Sequence, residues 1–105
     1  MNEILIKITE LITEYESGRW ISADNLRVMQ RQLSTNIYRL TQQNIDAFNE
    51  WNGIVYNESK TTSSAKAVTS ANYKVPDLRM SRKILEAARG VSISMNSELS
   101  ILKRD

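Results

Sequence analysis

The chain has 105 residues, of which 41% are hydrophobic and 25% charged, with three Gly, one Pro, no Cys and no His. That length fits one domain, and so few turn-forming residues argue against a many-stranded β-fold and for an all-α one. The absence of Cys and His removes disulfides, thiolate metal sites, the commonest general base and the commonest transition-metal ligand, and it points to a cytoplasmic setting.

The formal net charge is only +2, but the charge is distributed in blocks. Residues 1–16 hold one Lys against four Glu, residues 19–39 four Arg against one Asp, and residues 40–60 one Lys against three acids. Residues 76–105 are basic again, with six bases against four acids. Blocks of alternating sign suit antiparallel packing or head-to-tail association better than a single nucleic-acid face.

Residues 1–17 read as a short helix. Ile4, Ile8, Leu11, Ile12 and Tyr15 share one face with Leu5 beside them, and Glu3, Lys7, Glu10 and Glu14 occupy the other. A divalent cation needs a cage of oxygens, so a solvated face with Lys7 paired to Glu3 or Glu10 is expected, and no metal site is assigned. The N-terminal stretch is acidic, unlike a signal peptide. Gly18 stands where a left-handed helix end belongs. Ile21 is expected to staple onto Leu26, with Trp20 covering the joint and Ser22 capping the next helix ahead of Asp24.

Residues 22–59 predict one long central helix. Leu26, Met29, Leu33, Ile37, Leu40, Asn44, Ala47, Phe48, Trp51 and Val55 recur on one side near the 3.5-residue period of a coiled-coil seam. Asn44 falls within that side, where a buried amide needs a partner and can fix register. A second, sparser stripe of Tyr38, Ile45 and Tyr56 lies beside Arg31 and near Arg27. A helical hairpin leaves this stripe uncovered, so it is the expected partner-binding surface, for a second protomer or for another protein. Arg27, Arg31 and Arg39 around Tyr38 also form a basic–aromatic pattern. With Lys66, Lys74, Arg82 and Arg89 they make up the alternative, a nucleic-acid-binding surface.

Residues 60–75, rich in Ser, Thr and Ala, read as a mobile linker. Pro76-Asp77 opens a C-terminal helix over residues 76–104. Leu78, Ser81, Leu85, Ala88, Ser92, Met95, Leu99 and Leu102 form its seam, Ile84 and Val91 widen it, and the small Ser81, Ala88 and Ser92 admit a close neighbour. Gly90 is expected to weaken or kink this helix. Arg82, Glu86 and Arg89 are expected to form a surface ion network, and Lys103 and Arg104 to complement the helix end.

No nucleophile–base pairing, Gly-rich phosphate loop or converging carboxylate pair is recognisable, so no catalytic residue or cofactor is expected. No apolar run approaches the ~20 residues of a membrane-spanning helix. The long helix ending in Trp51-Asn52, the Ser/Ala-rich connector and the segment RKILEAARGV…MNSELSILKRD together resemble small all-α accessory proteins encoded by bacteriophages and prophages. That resemblance implies a phage or mobile-element protein, in the host cytoplasm or in the virion, that acts by binding other proteins. The resulting expectation is an elongated helical hairpin or three-helix bundle, homo-oligomeric and non-enzymatic.

Overall fold

The computed structural model describes residues 3–20 and 22–104, with the side chains of residues 103 and 104 excepted. The expected Ile21 staple and the Lys103 and Arg104 side chains therefore lie outside the described residues. Among those described there are four helices and no strand: α1 (Glu3–Glu16), α2 (Ala23–Glu58), α3 (Ser64–Lys74) and α4 (Asp77–Arg104).

Each boundary has a local cause. Gly18 takes a left-handed φ of 71° and ends α1, its N–H donating to Tyr15 O at 3.1 Å. Trp20 covers the joint as expected. Its ring stacks on Tyr15 at 6.0 Å, and its Nε1–H donates to the Tyr15 carbonyl at 3.1 Å. The Ser22 hydroxyl accepts from the Asn25 N–H and caps α2 in extended backbone geometry. Gly53 and Gly90 do not interrupt their helices.

α4 returns antiparallel along α2. Asn44 meets Ser81 near the start of α4, and Tyr15, beside the start of α2, donates its hydroxyl to Glu98 Oε1 near the α4 end at 2.9 Å. α1 packs against both α2 and α4. The core of this three-helix half consists of Leu5, Ile8 and Leu11 from α1, Leu26, Met29, Leu33 and Leu40 from α2, and Leu85, Ala88, Met95 and Leu99 from α4. Burying each of the Leu, Ile and Met side chains stabilises the fold by roughly 1.5–3 kcal/mol, and Ala88 by much less. Ser81 is buried with them, and Ala88 is fully buried, so the small seam residues of α4 do admit close approach.

The segment 60–75 corrects the linker expectation. Ser63 accepts from the Lys66 N–H at 3.3 Å, and residues 64–74 form a full helix, α3. Ala67 and Ala71, one turn apart, are completely buried and let α3 lie close on the C-terminal half of α2. Ser and Thr suggest a loop because their side chains compete for backbone hydrogen bonds. Here Thr69 makes its bond within the helix, to Ala65 O at 3.0 Å. At Val75-Pro76 the chain breaks and α4 begins. The molecule therefore has three helices side by side at one end and α2 with α3 at the other, extending 64 × 22 × 17 Å. The arrangement has four helices rather than the hairpin or three helices expected.

Candidate docking groove

The outer stripe is exposed as expected, with Tyr38 at 76%, Ile45 at 47% and Tyr56 at 67% of full accessibility. Steps of seven and eleven residues put all three on one line of α2, but about 10 Å and 17 Å apart along the axis. Polar Gln42, Asn49 and Asn52 intervene. Tyr56 carries the Lys60 ammonium 4.5 Å from its ring centre. The stripe is a row of isolated side chains, without a concave surface.

The basic residues are dispersed. Arg27 pairs with Asp24 at 3.3 Å and Lys74 with Glu58 at 3.1 Å, the two ion pairs among the described residues. The expected pairings of Lys7 with Glu3 or Glu10, and of Arg82 and Arg89 with Glu86, do not form within 4 Å. Arg31 and Arg39 are exposed on α2, eight residues and about 80° of helical rotation apart. Lys66 lies exposed on α3, and Arg82 and Arg89 on α4. No single stripe gathers all seven cations.

A concave site forms where α2, α3 and α4 meet. This groove has a volume of about 550 Å³, within the range of roughly 300–1,000 Å³ typical of ligand pockets. Phe48 and Trp51 from α2, Val68 from α3, Val75 from the break and Leu78 from α4 give it an apolar lining. Arg79, Arg82 and Lys83 stand around it against a single acid, Glu86. The spacing of α4 produces the cationic rim. Residues 79, 82 and 83 are three and four positions apart, so their side chains leave the helix on neighbouring lines.

Two contacts fix the aromatic wall. Trp51 Nε1–H donates to Asn72 Oδ1 at 2.8 Å, tying α2 to α3 and setting the indole orientation. The Phe48 and Trp51 rings stack at 6.2 Å with a 12° interplanar angle. The Arg82 guanidinium lies 5.1 Å from the Phe48 ring centre, a cation–π distance. An apolar side chain could pack on these rings while a carboxylate beside it met the cations.

A further contact holds α3 in place. Lys74 donates to Glu58 Oε1, while Oε2 is shielded from solvent and has no partner within hydrogen-bond distance among the described residues. The Glu58 pKa is lowered from its ordinary value, first by the Ser70 hydroxyl and then by Lys74. Because Oε2 makes no close bond, the ion pair is the better-defined of these two contacts.

Sequence reasoning placed Phe48 and Trp51 in a buried seam and did not single out Arg79 or Lys83. The signal was two aromatics at i and i+3, followed after the Ser/Ala segment by the tightly spaced RMSRK. It acquires meaning only once α3 is known to be a helix that brings Asn72 and Val75 to the aromatic pair. Among the described residues no group of three carboxylates converges as a metal site would require, and no helix is long and apolar enough to cross a membrane. Comparison of the chain with protein-family models, with curated proteins and with solved structures yields no match.

Proposed function

We propose that the protein is a non-enzymatic interaction module that docks an acidic, amphipathic segment of another protein in the groove between α2, α3 and α4. The observation that carries this reading is the juxtaposition of the Phe48–Trp51 wall with Arg79, Arg82 and Lys83. A Trp-bearing aromatic wall beside exposed arginines has the residue types that concentrate binding energy at protein interfaces. Binding of a helix in a groove, read through one apolar side and one charged side, is the corresponding mode. The likeness to small phage-encoded accessory proteins is in keeping with a role exercised through binding.

Panning a random peptide library over the wild type and an R79A/R82A/K83A variant tests the proposal. Enriched sequences should combine Asp or Glu with Leu, Phe or Trp and should lose binding to the variant. Peptides that bind both proteins equally would place the docking surface elsewhere, with the Tyr38, Ile45 and Tyr56 stripe and its Arg27 and Arg31 as the next surface to alter.

The same rings and cations also suit single-stranded nucleic acid, whose bases stack on aromatic side chains. That second reading requires single-stranded DNA binding that weakens steeply with salt and is lost in the same variant. An R27A/R31A/R39A variant separates groove binding from a contact spread along α2.

A further inference from the structure

The charge blocks of the chain are arranged so that one copy carries both halves of a contact. α1 turns Leu5, Ile8 and Leu11 into the core, which leaves Glu3, Ile6, Glu10 and Glu14 outside. Glu3, Ile6 and Glu10 follow one another at steps of three and four residues, so Ile6, 42% exposed, is flanked by carboxylates, and with Glu14 they outnumber the exposed Lys7 that shares this face. This is the chemistry the groove calls for, an apolar side chain flanked by carboxylates. The spacing matches as well. Glu10 and Glu14 are one turn apart on α1, as Arg79 and Lys83 are on α4, about 6 Å along the axis in each case.

We propose that the groove of one chain receives the outer face of α1 of a second copy, Ile6 against Phe48 and Trp51 and the α1 carboxylates against Arg79, Arg82 and Lys83. The inference rests on the groove being a docking site, as proposed above, and adds its occupant. A chain does not fill its own groove this way. Its α1 is committed to the core through its apolar face, and no α1 residue lines the groove. The contact joins two different surfaces and is therefore heterologous, so a docked pair still offers a free groove on one copy and a free α1 on the other. One 14-residue helix face buries less than the roughly 1,200 Å² of a standard interface, so the association is weak, strengthened at low salt and extended with concentration.

Two variants with exposed substitutions separate the halves. I6S/E10Q/E14Q disables α1 and keeps the groove, and R79Q/R82Q/K83Q disables the groove and keeps α1. Circular dichroism confirms that both fold, and sedimentation velocity at low and high salt reads their mass. Wild-type mass should grow with concentration at low salt and fall back as salt is added. Each variant alone should stay monomeric, and an equimolar mixture should form a 1:1 dimer and nothing larger. Self-docking is overturned if the wild type is monomeric throughout, if either variant still assembles like the wild type, or if the mixture stays monomeric while the wild type assembles. A monomeric wild type whose groove still selects acidic peptides defeats only the self-contact, whereas loss of both defeats the groove reading too.

Discussion

Asn44 on α2 donates to the Ser81 hydroxyl on α4 at 2.8 Å, and Ser81 in turn donates to the Leu78 carbonyl at 3.0 Å. This chain of donors closes the gap that an amide on the apolar side of α2 would otherwise leave, and it does so at one register of α4 on α2. Sliding α4 by a turn toward its N-terminus brings Leu85 to the amide in place of Ser81.

The pair should therefore be energetically coupled. Ser81→Ala is expected to lower stability by about 1 kcal/mol, because the partly buried amide loses its 2.8 Å acceptor and keeps only the 3.5 Å contact with the Leu78 carbonyl. Asn44→Leu removes the requirement, and Ser81 keeps its Leu78 bond, so stability should hold or rise. Urea unfolding of both single variants and the double variant should return a coupling of roughly 0.5–1.5 kcal/mol. A coupling of zero would mean that the contact does not set register.

The three glycines should respond to alanine in opposite directions. An added Cβ meets nothing within 4 Å at Gly18, Gly53 or Gly90, so backbone conformation decides the sign. Gly18→Ala places a side chain at a φ of 71° and should lower stability by about 1 kcal/mol. Gly53→Ala and Gly90→Ala lie inside continuous helices and should each raise it by about 0.5–1 kcal/mol. Thermal melts of the three variants would show the split, and a Gly18→Ala protein as stable as the wild type would contradict it.

High pH should loosen the joint between α1 and α4. Burial raises the Tyr15 pKa above its ordinary 10.0, and the Glu98 carboxylate that accepts its hydroxyl raises it further. A raised folded-state pKa means that the contribution of Tyr15 is complete below about pH 10 and fades as pH climbs through the folded value. Urea midpoints measured across that range should fall further for the wild type than for Tyr15→Phe. Parallel curves would show that Tyr15 is not the group behind the alkaline loss.

Acid acts at the opposite end. The Glu58 pKa is lowered, so its contribution is present above its ordinary pKa of 4.5 and disappears as pH falls through the folded value. Protection factors of the α3 amides, with the pH dependence of intrinsic exchange divided out, should fall over that acid range in the wild type. Glu58→Gln should already exchange faster at neutral pH and respond less to acid. Equal acid responses in the two proteins would show that Glu58 is not the group responsible.

The parts that sequence reasoning recovered rest on strong periodicity. Leu26, Met29, Leu33 and Leu40 mark the core face of α2, and Leu85, Ala88, Met95 and Leu99 that of α4, because apolar side chains at steps of three and four residues line up only when the chain is helical. α3 was missed because its buried positions are alanines, which carry little hydrophobic signal, and because Ser63 has the composition of a loop while acting as a cap. The groove went unseen for the same reason. Its wall was legible in Phe48 and Trp51, but the helix that supports Trp51 through Asn72 was not.

The unequal filling of the two ends bears on cooperativity. Where α1, α2 and α4 lie together, leucines, an isoleucine and methionines interlock. Along α3 the fully enclosed side chains are Ala67 and Ala71, which contribute far less transfer free energy. Sub-global opening should accordingly begin by peeling α3 from α2, while the other end stays folded. Trp51 loses its Asn72 support in that open form, so the groove is complete only while α3 is docked. Any occupant that bridges α3 and α4 draws part of its effect from suppressing this opening, and its affinity is tied to how firmly two alanines, one ion pair and the Trp51–Asn72 bond hold a helix down.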